Sequence, residues 1–302
     1  MIRRGAAAVG RKVPHRDSLL VMPQTHGVKP RPRHELVMRL VHPLVGPGVR
    51  LLSRLGVAPE QVVLTHGLVG LVAAALLAAP AHGAWVASAA LLQVKTLLDN
   101  LDGSLARATG RVSELGRYLD TGVDLVVNAA LFAALAAHGP WPVALLAFAV
   151  LTAVLSYDFN AERLHREAHG EPPPGPAAPP TAAWERAALT LSRGLYRAVL
   201  APQDAAVRAV ERRLLAFASG RPASAATPAE ERLWWDVGST AALVNLGLST
   251  QYVLLGACLL LGSPFAYAWL VLAQGAYLAA VLGWRVASFR RRARLAAGAG
   301  GA

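Results

Sequence analysis

Apolar runs separated by short polar turns dominate the chain. Six of them occupy residues 61–80, 84–107, 115–137, 141–157, 237–261 and 264–289. Each is near the ~20 residues that cross a hydrocarbon core, so the pattern predicts an all-α, polytopic bundle of six membrane helices. Turn formers mark the three short breaks: Pro80 and Gly83, Gly139 and Pro140, Gly262 and Pro264. Two further elements are predicted outside the bundle. Residues 36–55 mix apolar clusters with Arg39, His42, Arg50 and Arg54, and contain Pro43 and Pro47. That pattern predicts a kinked interfacial helix ahead of the first span. Residues 158–235 form a long insertion between the fourth and fifth spans. It opens with a polar stretch, continues through the Pro-rich linker 172–180, and carries a helical pattern over 184–217 with Leu189, Leu195, Leu200, Val207, Leu214 and Leu215. A small cytoplasmic helical element is expected there, lying on the membrane or on the bundle. The organisation is thus a basic N-terminus over 1–35, expected to be disordered, the interfacial helix and four spans over 36–157, the insertion, two spans over 236–290 and a basic, Gly-rich tail over 291–302.

Composition supports lipid over water as the solvent for this chain. Of 302 residues, 54% are hydrophobic and only 16% charged, and the mean hydropathy is +0.39. A soluble core does not need so many long apolar runs. The net charge of +12 would suit nucleic acid or an anionic membrane face, and placement decides between them. Lys and Arg cluster in 1–58, 107–117, 163–232 and 285–294, and are absent from the three short turns. Six spans with every basic segment on one side put both termini and the long connections in the cytoplasm. The charge is then accounted for without nucleic acid. The N-terminus has no apolar stretch suited to a secretory signal. The single cysteine, Cys258, forms no intrachain disulfide. The nine histidines are scattered, and His165 and His169 are read as surface residues. The Ala, Arg and Gly bias fits a GC-rich bacterial genome, so the inner membrane is the expected location.

Chemistry concentrates in residues 99–124, DNLDGSLARATGRVSELGRYLDTGVD. Four carboxylates lie where ionisable groups are expensive and usually functional. Asp99 and Asp102 are spaced i, i+3 at the end of the second helix, and Asp120 and Asp124 are spaced i, i+4 on the third, so each pair shares a face. The short connection makes the two helices antiparallel neighbours. The four carboxylates then converge on a pocket open to the cytoplasm. Four like charges there oppose one another, and divalent cations resolve the conflict. Hard oxygen donors favour Mg²⁺, Mn²⁺ or Ca²⁺ over zinc, and two such ions could clamp a diphosphate. Gly103 and Gly116 allow close approach, Ala106 keeps the Asp102 face open, and Arg107 offers a fork for phosphate oxygens. Lys95, one turn before Asp99, is expected to bridge Asp99 or snorkel to headgroups. Asn128 continues the Asp120 face and either lines the pocket or bridges helices. Asn245 and Gln251 are read as interhelical glue.

These residues resemble the CDP-alcohol phosphotransferase family, whose pattern is D-x2-D-G-x2-A-R-x8-G-x3-D-x3-D. Here Asp99, Asp102, Gly103, Ala106, Arg107, Gly116, Asp120 and Asp124 meet every spacing. Eight fixed identities would arise by chance roughly once per billion starting points. The resemblance covers about a tenth of the chain, and the six-span layout agrees with the family's fold. It implies that Asp99, Asp102 and Asp120 are metal ligands holding the donor diphosphate. It implies that Asp124 is both a metal contact and the general base for the acceptor hydroxyl. Asp102, Gly103, Ala106, Arg107 and Gly116 would lie near the nucleotide. The implied reaction is attack on the β-phosphorus of a CDP-linked donor, CDP-diacylglycerol by preference, with CMP leaving and Mg²⁺ or Mn²⁺ required. The acceptor alcohol is left open, and so is a homodimer. Two alternatives stand beside it: an Asp-rich membrane prenyltransferase, and a catalytically inactive membrane scaffold.

Overall fold

The structure, a computed structural model, describes residues 36–171 and 177–299. The N-terminal segment expected to be disordered, part of the Pro-rich linker and the end of the tail lie outside the described residues. The described chain is helical, in the order α1 Leu36–Arg54, α2 Pro59–Ala78, α3 His82–Thr109, α4 Glu114–Leu135, α5 Trp141–Ala168, α6 Ala183–Leu195, a π-helical turn Tyr196–Leu200, α7 Ala201–Ser219, a 3-10 turn Ala223–Ala225, α8 Pro228–Trp234, α9 Val237–Val244, α10 Leu248–Leu260 and α11 Ala266–Ala299.

Among the described residues, four helices are long and apolar enough to cross a membrane: Pro59–Ala78, Glu114–Leu135, Trp141–Ala168 and Ala266–Leu295. A fifth is reached if α9 and α10, bent by 46° at their junction, count as one broken span. The second expected span, α3, has ample length at 28 residues. It falls outside that set because Gln93, Lys95, Asp99, Asn100 and Asp102 interrupt its apolar run. The expected single helix over 237–261 is instead broken. Asn245 turns its side chain to the Leu36 N–H at 3.0 Å, and a Cβ on Gly247 would lie 2.9 Å from Asp158 Oδ2. The fourth helix runs past its expected end at Tyr157 to Ala168, because the polar continuation packs under the insertion.

The centre of the bundle is an apolar core of Leu77, Leu92, Leu131, Leu135, Leu151, Tyr252, Leu259 and Tyr267. Gln251 ties α10 to α11 through Gln274 at 2.6 Å and Tyr267 at 3.0 Å, in the bridging role expected of it. A second core holds the insertion. Val207, Leu215, Trp234 and Trp235 pack with Tyr157, Leu243 and Phe289, so this segment lies on the bundle. Within that core Arg285 of α11 donates to Glu211 of α7 at 2.9 Å and to Ser239 at 3.0 Å, and its guanidinium lies 4.4 Å from the Trp235 ring centre. Burial pushes the Glu211 carboxyl above the usual range, while Arg285 opposes that shift. His165, expected at the surface, is half-buried instead, its Nδ1 2.6 Å from the Trp235 carbonyl.

The α3–α4 hairpin is set by local chemistry. Gly110 ends α3 at φ +67°, and the Arg111 N–H reaches back to the Ala106 carbonyl at 2.8 Å, a left-handed C-terminal stop that glycine adopts without a Cβ clash. Ser113 then caps α4 by accepting from the Gly116 N–H at 2.9 Å. The insertion fastens to this turn. The Ala178 N–H donates to Val112 O at 2.8 Å and the Glu114 N–H to Ala178 O at 3.0 Å, and Arg193 of α6 pairs with Glu114.

Glycine lets α2 approach α4. A Cβ on Gly67 would lie 2.5 Å from Val123 Cγ1, and one on Gly70 would lie 2.6 Å from Val127 Cγ1. Gly67→Ala is therefore expected to destabilise the detergent-solubilised protein by about 1–3 kcal/mol through overpacking. Val123→Ala in the same chain is expected to restore the thermal midpoint. A midpoint unchanged by Gly67→Ala would show that this contact is not tight.

Candidate metal centre and active site

Three helices build the site. Asp99 and Asp102 come from the second half of α3, Asp120 and Asp124 from the first half of α4, and His66 from α2. The turn between α3 and α4 brings both acidic pairs to one side, as their spacing requires. The carboxylates of Asp99, Asp102 and Asp120 meet there, and their oxygens and a ring nitrogen of His66 all lie within 4.8 Å of one another.

His66 is the residue that the motif did not contain. Its side chain is 0% exposed, and its Nε2 is 3.2 Å from Asp102 Oδ2, 3.5 Å from Asp120 Oδ1 and 4.0 Å from Asp99 Oδ1. Neither ring nitrogen makes a hydrogen bond among the described residues, and neither do Asp102 Oδ2 and Asp120 Oδ1. The short distances are thus approaches of charge-bearing atoms without aligned hydrogen bonds. A sequence signal did exist: His66 is the only ionisable side chain between Gln61 and Ala81, deep in an apolar span where such a residue is a functional candidate by default.

Asp124 stands apart from this four-donor group. Lys95 Nζ donates to its Oδ1 at 2.6 Å, with the lysine 0% and the aspartate 20% exposed. The i, i+4 spacing had pointed Lys95 toward Asp99 or the headgroups. Packing instead aims it across to α4, where its ammonium also lies 5.0 Å from the Tyr252 ring centre. Tyr252 donates to Asn128 Oδ1 at 3.1 Å, so Asn128 bridges α4 to α10, one of its two expected roles. The buried ammonium and the half-buried carboxylate offset each other's desolvation.

The small and basic motif residues have visible neighbours. Arg107 folds back along α3 to donate to Ser104 Oγ at 3.2 Å, and a Cβ on Gly103 would come within 3.2 Å of its guanidinium. The missing side chain gives the Arg107 guanidinium a little extra room. Ala106 is half-buried on the same helix. A Cβ on Gly116 would sit 3.0 Å from Ser113 Oγ, and the Ser113 hydroxyl donates to Glu60 Oε1 at the start of α2. Gly116 thus leaves room for a clamp between the entrances of α2 and α4.

The donor set suits a divalent cation. Buried carboxylate oxygens and an imidazole nitrogen without hydrogen-bond partners converge from three helices, and like charges this close need compensation. Against known proteins, residues 57–196 match the family model of CDP-alcohol phosphatidyltransferase. Over that stretch the chain is similar to the CDP-alcohol phosphatidyltransferases. The matched region begins just before α2 and ends at the first residue of the π-helical turn, so it takes in every residue of the site.

The chain is 32% identical over 123 residues to archaetidylinositol phosphate synthase of Pyrococcus horikoshii, covering 40% of this chain and 61% of the relative. It is 40% identical over 96 residues to the protein of that name in Aeropyrum pernix, covering 32% and 48%. It is 35% identical over 86 residues to phosphatidylinositol phosphate synthase of Streptomyces avermitilis, covering 28% and 34%. The match therefore spans about three fifths of the first relative and half of the second.

Compensation can be tested without turnover. In the absence of divalent cations, Asp102→Asn and Asp120→Asn are each expected to raise the thermal midpoint, because each removes one of three crowded charges. Excess Mn²⁺ is expected to raise the midpoint of the parent chain, by about 2.7 kcal/mol of added stability at a hundredfold excess over Kd. The Asn variants should gain less. An equal gain in all three proteins would place the cation elsewhere.

Proposed function

We propose that this chain is an integral membrane phosphotransferase that moves a phosphatidyl group from CDP-diacylglycerol to the hydroxyl of an alcohol and releases CMP. The observation that supports it most is the meeting of Asp99, Asp102 and Asp120 from both helices of one hairpin, with Asp124 one turn further along α4 and the residues of the family motif around them. In this reading Asp99, Asp102 and Asp120 hold Mg²⁺ or Mn²⁺. A bound pair of divalent ions would supply positive charge for the donor diphosphate and for the charge that develops on CMP.

The chain's own residues supply the rest. Asp124 removes the proton of the acceptor hydroxyl as that oxygen attacks the β-phosphorus in line. Lys95 occupies Asp124 Oδ1, which fixes the rotamer and leaves Oδ2 to take the proton. Arg107, with Gly103 and Ala106 beside it, offers donors to the nucleotide phosphates, and Gly116 leaves room for the Ser113–Glu60 clamp that fixes the start of α4. Three relatives are named as inositol phosphate synthases, which puts an inositol phosphate first among candidate acceptors.

The topology that goes with this reading has six spans: α2, α3, α4, α5, the bent pair α9–α10, and α11. Counting α3 is reasonable because Lys95, Thr96, Asp102 and Ser104 are buried in protein, so its polarity is hidden from lipid. The basic segments then lie on the cytoplasmic side with the active site. Helix α1 lies in the interface with Leu36, Leu40, Leu44 and Leu51 exposed toward the acyl boundary.

Purified protein with CDP-diacylglycerol, Mn²⁺ or Mg²⁺ and a panel of alcohols headed by inositol phosphate is expected to release CMP, and a chelator to abolish the release. Asp124→Asn is expected to lower kcat about a hundredfold or more. Absence of CMP with every alcohol, or full turnover in Asp124→Asn, would end the proposal. Lys95→Met is expected to lower kcat at least about tenfold while the KM for the donor changes little, since Lys95 acts through Asp124. Lys95→Arg should recover part of that loss. A KM effect alone would instead assign Lys95 to donor binding.

A further inference from the structure

We propose that His66 is a nitrogen ligand of the divalent ion held by Asp99, Asp102 and Asp120, and that this nitrogen makes the centre prefer Mn²⁺ over Mg²⁺. The inference rests on reading the acidic cluster as the metal centre of the proposed reaction. It goes beyond the eight motif positions, all of which lie on α3, its turn and α4, whereas His66 lies on α2.

Three observations carry it. The His66 side chain is fully enclosed, and neither ring nitrogen has a hydrogen-bond partner among the described residues. A structural histidine in a core normally spends at least one nitrogen on a carbonyl or hydroxyl. Its Nε2 is aimed at the place where the three carboxylates meet, between 3.2 and 4.0 Å from one oxygen of each. The helix that carries it is drawn close by Gly67 and Gly70, whose missing side chains admit Val123 and Val127 of α4. The nitrogen therefore sits at the focus of the oxygen donors and is held there by packing.

Donor chemistry gives the metal preference. Mg²⁺ favours an all-oxygen, largely hydrated shell. Imidazole suits first-row transition metals, and affinity at mixed nitrogen and oxygen sites rises from Mn²⁺ along that series. Adding one imidazole to three carboxylates leaves a site that accepts Mg²⁺ but holds Mn²⁺ better. The competing account makes His66 a protonated counter-ion that balances the carboxylates. The two accounts differ in sign. A ligand lost on substitution weakens Mn²⁺ binding, whereas a cation lost from an acidic cluster strengthens the binding of any divalent ion.

The test is Mn²⁺ binding to the purified full-length chain without nucleotide, followed by electron paramagnetic resonance and competed with Mg²⁺. Mn²⁺ is expected to bind at least about tenfold tighter than Mg²⁺. The pulsed spectrum should show coupling to a directly bound ¹⁴N, and that coupling should change to the ¹⁵N pattern when only histidine is isotopically labelled. His66→Gln is expected to abolish the coupling and to reduce the Mn²⁺ over Mg²⁺ ratio about tenfold. Bound Mn²⁺ without histidine coupling in the parent chain would overturn the inference, as would unchanged or tighter Mn²⁺ binding in His66→Gln. Because the labelled parent chain decides the matter by itself, a misfolded variant does not blunt the test. CMP release without nitrogen coupling would sink only this inference, and nitrogen coupling without CMP release would sink only the proposed reaction.

Discussion

The constraint on which this structure depends is electrostatic: several carboxylates must coexist in the interior of an apolar bundle. Asp102 is buried and Asp99, Asp120 and Asp124 are only partly exposed, so their desolvation and mutual repulsion have to be met by groups within reach. The chain meets them in two ways. Asp124 is given a fixed ammonium in Lys95, while Asp99, Asp102 and Asp120 surround His66 Nε2. The acidic residues are thus divided into one internally neutralised group and one group open to an added cation. In the proposed reaction that division would give the two parts of the site different work, since a base needs a defined position and a cation site needs converging donors.

Backbone approach makes this arrangement possible. A histidine on α2 reaches carboxylates on α3 and α4 because the helices pack together, and the paired glycines at positions 67 and 70 remove side chains that would meet Val123 and Val127 of α4. The turn between α3 and α4 is braced from outside as well. Glu60 takes the Ser113 hydroxyl, and the segment following the Pro-rich linker adds backbone hydrogen bonds on both sides of Ser113. The insertion is therefore coupled mechanically to the hairpin that carries the carboxylates. Its own anchoring uses the same electrostatic rule, with Arg285 of α11 buried against Glu211 and stacked on Trp235.

Much of this was legible in advance, and the failures have a common cause. Helical periodicity and hydropathy located the apolar segments, and i, i+3 and i, i+4 spacing put Asp99 with Asp102 and Asp120 with Asp124 on shared faces. A short glycine-containing connection made the hairpin. The misreadings concern partners. Its own helix offers Lys95 either Asp99 or the headgroups, yet packing directs it across to Asp124. His165 was read as a surface residue, but Trp235, seventy positions away, covers it. The single helix expected over 237–261 is bent at a junction where Asn245 meets Leu36 and Gly247 lies against Asp158, contacts between segments far apart in sequence.

By itself, then, the sequence determined what nearest-neighbour geometry can determine: which segments are helical and apolar, which faces carry the carboxylates, and the eight-residue pattern that carries the family resemblance. Those properties depend on backbone repeats of a few residues, so they can be read along one dimension. Only the tertiary structure decided that Asp124 belongs to Lys95, that the other three carboxylates share His66, and that the insertion braces the hairpin. Each of those outcomes depends on which helices pack together and how closely, a property of several side chains at once that no single stretch of chain encodes.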